Sequence, residues 1–162
     1  MEAVLARIDD RFIHGQVVVG WCRRLDPDRL LLCNDAIAAD PWQCSVYASS
    51  VPPRYRVDIL SREATAALWR DDRGTDRTLL LTGSPADMLW LVQAGVALAE
   101  VNVGGMHAAA GKAELLPGVY ADAADRRALA DLLAAGVVLF AQSVPGAPRH
   151  PLTRDLLQEA TT

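Results

Sequence analysis

The order in which apolar and helical segments follow one another is the strongest constraint on the fold of this chain. Short apolar runs with β-branched residues alternate with Ala- and Leu-rich stretches of helical periodicity, and the connections between them are short. Continuous apolar runs such as residues 79–81 are typical of strands that are covered on both faces. The pattern therefore predicts an α/β fold, a single-domain open, mainly parallel sheet with helices on both faces.

Individual elements can be placed from the residues at their boundaries. Strands are predicted at 3–8, 29–33, 57–60, 78–82, 98–103 and 137–142. Helices are predicted at 15–25, from Asp40 with Pro41 in the first turn, from Ser61, from Ser84 to Gly95, at 122–135 and at 152–159. Residues 102–106 are interpreted as a Gly-rich turn and residues 107–120 as mostly irregular. The chain, 1–162, is expected to be one domain in which about 145–162 form a C-terminal linker and helix.

Composition excludes several classes of protein. Of the 162 residues, 51% are hydrophobic, which is enough to bury a core without disulfides or a structural metal. A net charge of -4 argues against a broad nucleic-acid surface, so no nucleic-acid partner is expected. No apolar run approaches the roughly 18 residues that span a bilayer, and the N-terminus lacks a signal-peptide pattern, so we expect a cytoplasmic protein. The three cysteines contain no close pair and the histidines have no zinc-binding spacing, so no metal is expected.

The segment after the first predicted strand carries the most chemistry. In open parallel sheets, ligands bind beyond the C-terminal ends of the strands. Here that end is followed by Asp9, Asp10, Arg11 and His14, just before a predicted helix whose N-terminal N–H groups would attract an anion. Gly15 would let the backbone come close to a bound group. The spacing favours an anion site with an imidazole beside it.

These residue types suit transient phosphorylation of a histidine. Arg11 is predicted to clamp a phosphate through two parallel hydrogen bonds. Either Asp9 or Asp10 is predicted to accept a hydrogen bond from one ring nitrogen of His14, which leaves the other nitrogen to attack phosphorus. No cofactor is needed if the donor is a phosphohistidine of another protein. In the alternative interpretation these residues have no catalytic role and form a solvated run of charged side chains with a surface histidine.

Further residues are candidates for substrate binding. They lie at the start of the first helix and after the second strand: Gly15, Gln16, Asn34 and Asp35. Turn formation alone would also explain Asn34 and Asp35. The run 102–106 matches neither the GxGxxG nor the P-loop pattern of nucleotide sites. The other two histidines, His107 and His150, are expected to be solvated loop residues.

A longer pattern points to a known family. The run Arg-Ile-Asp-Asp-Arg-Phe-Ile-His-Gly-Gln-Val at 7–17, with Trp21, resembles the opening signature of the mannose/sorbose-family IIB components of the bacterial phosphoenolpyruvate-dependent sugar phosphotransferase system. Phe12 stands where that family usually has Leu. Matching segments follow in the family's order, so that the resemblance spans roughly residues 2 to 157: Asn34-Asp35 with Ala38 and Asp40, then 102–106, and then Gly136-Val137 with 142–145.

The resemblance implies a cytoplasmic phosphotransferase with two protein partners. Such a protein takes phosphate from a phosphohistidine of a IIA domain and passes it to a sugar held by the membrane components IIC and IID. Its contact with the membrane would run through those partners only. By position, His14 matches the family's phosphorylated histidine, with Nδ1 as the attacking nitrogen, and Arg11 matches its phosphate-binding arginine.

Two other functions remain open from the sequence. A regulatory phosphoprotein would use the same His14 chemistry without a sugar permease. A nucleotide- or metabolite-binding module would use the anion site without any covalent step. Acid-labile phosphate on His14 would separate the first of these from the second.

Overall fold

The computed structural model describes residues 1–159, which form one sheet with helices and a small separate hairpin. The strands are β1 (Glu2–Asp9), β2 (Arg29–Cys33), β3 (Arg56–Leu60), β4 (Arg77–Thr82), β5 (Glu100–Gly105), β6 (Ala113–Leu116), β7 (Val119–Ala121), β8 (Val138–Ala141) and β9 (His150–Pro151). The first helix, α1, is wound as a π-helix over Gln16–Cys22 and continues into an α-helical turn, Arg23–Leu25. The others are α2 (Asp35–Ala38), α3 (Pro41–Ser49), α4 (Arg62–Asp71), α5 (Pro85–Gln93), α6 (Ala123–Ala134) and α7 (Arg154–Glu159).

Strand order places β1 near the middle of the main sheet. The order is β3-β2-β4-β1-β5-β8-β9, and every pairing in it is parallel except that of β9 with β8. The chain fills one side of β1 with β2 to β4 and then crosses to the other side with β5. Such a reversal is where open α/β sheets bind ligands, beyond the C-terminal strand ends. The predicted fold class is confirmed, and the loop after β1 lies at this point.

Several predicted helix boundaries are confirmed by their hydrogen bonds. Asp40 caps α3, its carboxylate accepting from the Trp42 and Gln43 N–H groups. Ser61 and Ser84 accept from the third residue beyond them at the starts of α4 and α5. These caps depend only on neighbouring residues, which is why the sequence predicts them well.

The segment 102–106 differs from its prediction as a turn. Residues 102–105 belong to β5, which pairs with both β1 and β8. A Cβ at Gly104 would lie 1.9 Å from Cζ of Arg7, and one at Gly105 would lie 3.0 Å from Oδ1 of Asp9. The two glycines therefore leave room for polar side chains of β1 rather than turning the chain.

Two other segments are more regular than predicted. Part of the stretch expected to be irregular forms the antiparallel hairpin of β6 and β7. Within the predicted C-terminal linker, His150–Pro151 pairs with β8 as β9. The helix predicted at 152–159 is present as α7, Arg154–Glu159. Residues 160–162 of that predicted segment lie outside the described residues.

The sheet separates two hydrophobic clusters, one on each face. Successive residues of β1 point to opposite faces, so Leu5 joins one cluster while Ala6 and Ile8 join the other. Val17 and Trp21 of α1 are buried in the cluster that contains Leu5. They anchor the helix that follows the loop after β1. Among residues 1–159, no helix has the length and apolar character needed to cross a membrane.

Candidate functional site

The loop between β1 and α1 turns sharply at Phe12. The Phe12 N–H donates to the Asp9 carbonyl over 3.0 Å, and Phe12 has a φ of 61°, which is unusual for a residue with a side chain. Its ring packs edge-on against Tyr47 of α3, with 6.0 Å between the centroids. A Cβ at Gly83 would lie 2.4 Å from the Phe12 ring, so glycine leaves space for it. Aromatic packing thus holds the turn that precedes His14.

The backbone of His14 is fixed to the start of α1. Its carbonyl accepts hydrogen bonds from the N–H groups of both Val17 and Val18, each over 3.0 Å. A Cβ at Gly15 would meet no atom within 4 Å, so the space over the helix start is open. The imidazole consequently lies at a helix N-terminus where N–H groups favour an anion.

Asp9 is the centre of the site, and its side chain is fully buried. Its Oδ2 accepts from Arg7 Nη2 over 3.0 Å and lies 2.9 Å from His14 Nε2. Its Oδ1 accepts from the Arg11 N–H over 3.1 Å and from Arg11 Nε over 3.3 Å. One carboxylate therefore joins both arginines and the histidine.

The charge state of Asp9 follows from these contacts. Burial acts to raise the pKa of Asp9, but hydrogen bonds from His14 and Arg11 and the charge of Arg7 outweigh it. The pKa of the Asp9 carboxyl is held well below its usual range, so the group is ionised at neutral pH. An ionised carboxylate only accepts hydrogen bonds.

This assigns the tautomer of His14. Because Asp9 accepts, Nε2 of His14 carries the ring proton and donates it over 2.9 Å. Nδ1 then carries the lone pair, and it accepts the Gln16 N–H over 3.3 Å at the helix start. The side chain is 18% exposed, so the ring is held by the protein while one edge reaches the surface. The arrangement orients Nδ1, the ring nitrogen that carries the lone pair, at the start of α1.

Arg11, the predicted phosphate clamp, contacts the same carboxylate as His14, that of Asp9. Its side chain is 37% exposed and its guanidinium contacts Asp9, while Nη2 donates to Gln16 Oε1 over 2.9 Å. Arg11, His14 and Gln16 therefore belong to one hydrogen-bonded group. Besides Asp9, Arg11 contacts the side chain of the exposed Gln16, so part of its guanidinium lies at the surface.

Asp10, the other candidate for orienting His14, faces a different histidine. Its carboxylate accepts from the His107 N–H over 2.7 Å and also contacts Nδ1 of that ring. The Asp10 N–H donates to the Gly105 carbonyl over 3.0 Å. Asp10 thus ties the loop after β1 to the end of β5. His107 is an exposed loop residue, as expected, and it is also paired with Asp10.

Asn34 and Asp35 are not brought to His14. Strand β4 lies between β2 and β1, so the loop after β2 is a full strand further along the sheet edge. Asn34 caps α2 by accepting the Ile37 N–H over 2.9 Å, and Asp35 pairs with Arg62. Capping and an ion pair account for both residues. In residues 1–159, no cluster of three or more His, Cys, Asp or Glu side chains is placed to hold a metal ion.

One polar residue of the site is absent from the sequence-based prediction. Arg7 is fully buried and donates to Asp9 and Asn102, and to the carbonyls of Gln142 and Ser143. A signal was present, since a charged residue inside an apolar strand must find partners when it is buried. Its partners come from three separate parts of the chain, however, which the sequence does not bring together.

Comparison with known proteins gives consistent matches over the whole chain. The family described as "PTS system sorbose subfamily IIB component" matches residues 3–162. The sorbose-specific EIIB component of Klebsiella pneumoniae is 35% identical over 149 residues, covering 91% of each chain. The N-acetylgalactosamine-specific phosphotransferase enzyme IIB component 2 of Escherichia coli (strain K12) is 40% identical over 154 residues, covering 90% of this chain and 92% of that protein.

The fold gives the same result. The crystal structure of the IIBSor domain of the sorbose permease from Klebsiella pneumoniae superposes with a TM-score of 0.92 at 32% sequence identity. The match covers 99% of both chains. The similarity therefore extends from β1 through the C-terminal helix, and no large part of either chain is left without a counterpart.

Proposed function

The chain belongs to the sorbose-subfamily IIB components of the phosphotransferase system, and we propose that Nδ1 of His14 is the atom that carries its phosphoryl group. As a IIB component it is a phosphotransferase, which accepts phosphate from a IIA partner and transfers it to a sugar. The observation that carries the assignment to His14 is the tautomer. Asp9 holds Nε2–H, which leaves the Nδ1 lone pair at the open start of α1.

Phosphoryl acceptance proceeds as an in-line exchange between two imidazoles. The Nδ1 lone pair of His14 forms a bond to the phosphorus of the donor phosphohistidine. The P–N bond to the donor ring breaks, and its electron pair returns to the donor nitrogen. The proton on Nε2 of His14 stays in its hydrogen bond with Asp9, whose negative charge stabilises the positive charge that develops on the ring.

Arg11 and the helix start are proposed to hold the moving phosphoryl group. Charge on its oxygens is met by the Arg11 guanidinium and by the Gln16 N–H, which lies 3.3 Å from Nδ1. Arg11 gives up contacts to Asp9 and Gln16 when it turns to the phosphate. Because it is partly exposed, this movement needs no change in the buried core.

In the second transfer, a sugar hydroxyl oxygen attacks the phosphorus. The Nδ1–P bond breaks, its electron pair returns to Nδ1, and the hydroxyl proton passes to a base on the acceptor side. We propose that the acceptor is a sugar held by membrane components IIC and IID, and that the chain acts on the cytoplasmic side of the membrane. A regulatory phosphoprotein would make the same phosphohistidine and differ only in lacking this acceptor.

Phosphate transfer followed by mapping of the label tests the assignment. The chain is incubated with a ³²P-phosphorylated IIA domain of a sorbose-class system, and separately with phosphoramidate, a small donor with a P–N bond. His14→Ala should abolish an acid-labile, alkali-stable label from both donors, because the nucleophile is gone. His150→Ala is the matched control, since His150 is exposed and lies on the edge strand β9. Label retained in the His14 variant would refute the proposal.

A further inference from the structure

Folding alone does not explain why Arg7, a charged residue, lies in the interior of the sheet. Its guanidinium is fully buried in the central strand, and its ordinary environment would be water. Nη1 donates to Asn102 Oδ1 and, over 3.0 Å, to the Gln142 carbonyl. Nη2 donates over 3.0 Å to Asp9 Oδ2 and to the Ser143 carbonyl. Four directed hydrogen bonds thus hold the two terminal nitrogens of this side chain.

The surroundings of Arg7 are built to receive it. A Cβ at Gly104 would lie 1.9 Å from Cζ of Arg7, so a side chain there would occupy the same space. The Trp21 ring lies under the guanidinium, 5.5 Å from Cζ, and its Nε1–H donates to the Ser143 carbonyl over 3.3 Å. Asn102 Nδ2 donates to the Gln142 carbonyl over 3.1 Å. Arg7 therefore connects β5, α1 and the loop after β8 to Asp9.

Burial of such a group is costly, and a strand in an apolar core does not need it. Burial lowers the pKa of Arg7, and the charge of Asp9 opposes that effect; a guanidinium stays protonated all the same. Replacement of buried ion pairs by apolar residues of similar size is often neutral or stabilising in proteins. The reason for an arginine at this position must therefore lie in its effect on Asp9 and on His14, which Asp9 orients.

Two arginines contact Asp9, and they differ in burial. Arg11 is 37% exposed, whereas Arg7 is fully buried and fixed by four hydrogen bonds. From β5, only neutral groups of Asn102 and Gly105 face this region, and the loop after β8 contributes only carbonyls. When Arg11 turns to a phosphoryl group, Arg7 is the one arginine among the described residues that still contacts Asp9.

We propose that Arg7 is a positioning residue that acts through Asp9. It holds the carboxylate in place when Arg11 leaves, so that His14 keeps its proton on Nε2 and its lone pair on Nδ1 through both transfers. The inference rests on the proposed role of His14. It assigns separate tasks to the two arginines: Arg11 meets the phosphoryl group, and Arg7 keeps the carboxylate that orients the nucleophile.

The chain offers a matched control for the loss of a buried guanidinium. Arg29 is also almost fully buried, and it pairs with Asp58, Asp72 and Asp76. It lies at the start of β2, at the N-terminal ends of the parallel strands, whereas His14 follows the C-terminal end of β1. Arg29→Gln should therefore lower stability without affecting the site, while Arg7→Gln should affect both.

The decisive measurement is the ¹⁵N spectrum of the His14 ring in the unphosphorylated Arg11→Ala protein, in which the Arg11 side chain no longer contacts Asp9. At about pH 8.5, above the ordinary titration range of histidine, it distinguishes a protonated Nε2 from a protonated Nδ1. In this background we expect one tautomer, Nε2–H, with or without Arg29→Gln, and an averaged spectrum of both tautomers when Arg7→Gln is added. Phosphoryl acceptance from phosphoramidate should fall about a hundredfold in Arg7→Gln, the scale set by a misplaced reacting group, and stay near wild type in Arg29→Gln.

The outcomes separate the two proposals. Arg7→Gln with a single Nε2–H tautomer and a wild-type transfer rate would overturn the role of Arg7 and leave that of His14 intact. Absence of label on His14 in the wild type would instead refute the proposed function. If circular dichroism finds Arg7→Gln unfolded, Arg7→Lys takes its place, because it keeps the charge but loses the planar fork. We expect that variant to transfer roughly tenfold more slowly; a folded Arg7→Lys with wild-type tautomer and rate would overturn the inference.

Discussion

Replacing Asp9 by Asn should destabilise the protein far more than a change of one carboxylate usually does. The substitution keeps the size of the side chain and removes its charge. Asp9 is fully buried and accepts five hydrogen bonds, from Arg7, Arg11 and His14. The amide of the new side chain can be placed in two orientations, and in either one its NH2 group faces N–H groups that donated at least two of these hydrogen bonds. It also leaves the buried Arg7 without a counter-charge, which typically costs about 3–5 kcal/mol.

Urea denaturation at pH 7 measures this cost, and Asp35→Asn provides the control. Asp35 also pairs with an arginine, Arg62, but its side chain is 52% exposed, and such pairs contribute about 0–1 kcal/mol. We therefore expect the two Asp→Asn variants to differ by at least about 2 kcal/mol in the free energy of unfolding. A cost for Asp9→Asn no larger than that for Asp35→Asn would refute the account of the buried carboxylate.

The same variant should change the acid dependence of stability. The folded-state pKa of Asp9 is depressed. The contribution of Asp9 to stability is therefore fully present above its unfolded-state pKa, about 4, and is lost as the pH falls further toward the folded-state pKa. The difference in unfolding free energy between wild type and Asp9→Asn should be constant from about pH 5 to 7 and shrink below about pH 4. A difference that stayed constant into acid would contradict the depressed pKa.

Three further substitutions test the rest of the site. Arg11→Ala should slow phosphoryl acceptance from phosphoramidate by roughly 10²- to 10³-fold, the usual effect of losing one donor to developing charge, and an unchanged rate would exclude it as the clamp. Gly104→Ala should cost about 1–3 kcal/mol in urea denaturation, because its Cβ would overlap the Arg7 guanidinium, whereas Gly15→Ala has open space and serves as its control. Asp10→Asn should leave the rate of phosphoryl acceptance near wild type, since its carboxylate faces His107 and not His14. A decrease in that rate as large as the one expected for His14→Ala would reverse the assignment of the two aspartates.

The elements that the sequence predicts correctly are those set by neighbouring residues. The caps at Asp40, Ser61 and Ser84 each involve a side chain and an N–H group two or three positions later. The strands follow from uninterrupted apolar runs. The π-helical winding of Gln16–Cys22 is not predicted, because its buried residues Val17 and Trp21 fit an ordinary helical spacing as well.

The parts of the site that the sequence does not predict depend on which strands are neighbours. Asn34 and Asp35 follow a strand just as the His14 loop does, but β4 lies between the two strands, and no local pattern reveals this order. The contacts of Arg7 have the same origin. They join β1 to β5 and to the loop after β8, at sequence separations of 95 and more.

The charges around His14 suit a phosphoryl group that must both arrive and leave. Asp9 and Arg7 form a buried pair whose charges offset each other. In the proposed mechanism Arg11 then remains as the cation that meets the phosphate, which carries a charge approaching -2 at neutral pH. One guanidinium and a helix N-terminus of about half a unit charge attract such a group without neutralising it fully. A second arginine free to meet the phosphate would favour acceptance at the expense of release to the sugar. In the proposed division of tasks Arg7 avoids this, because it stays bound to Asp9, orients His14 and leaves the charge of the phosphate partly uncompensated.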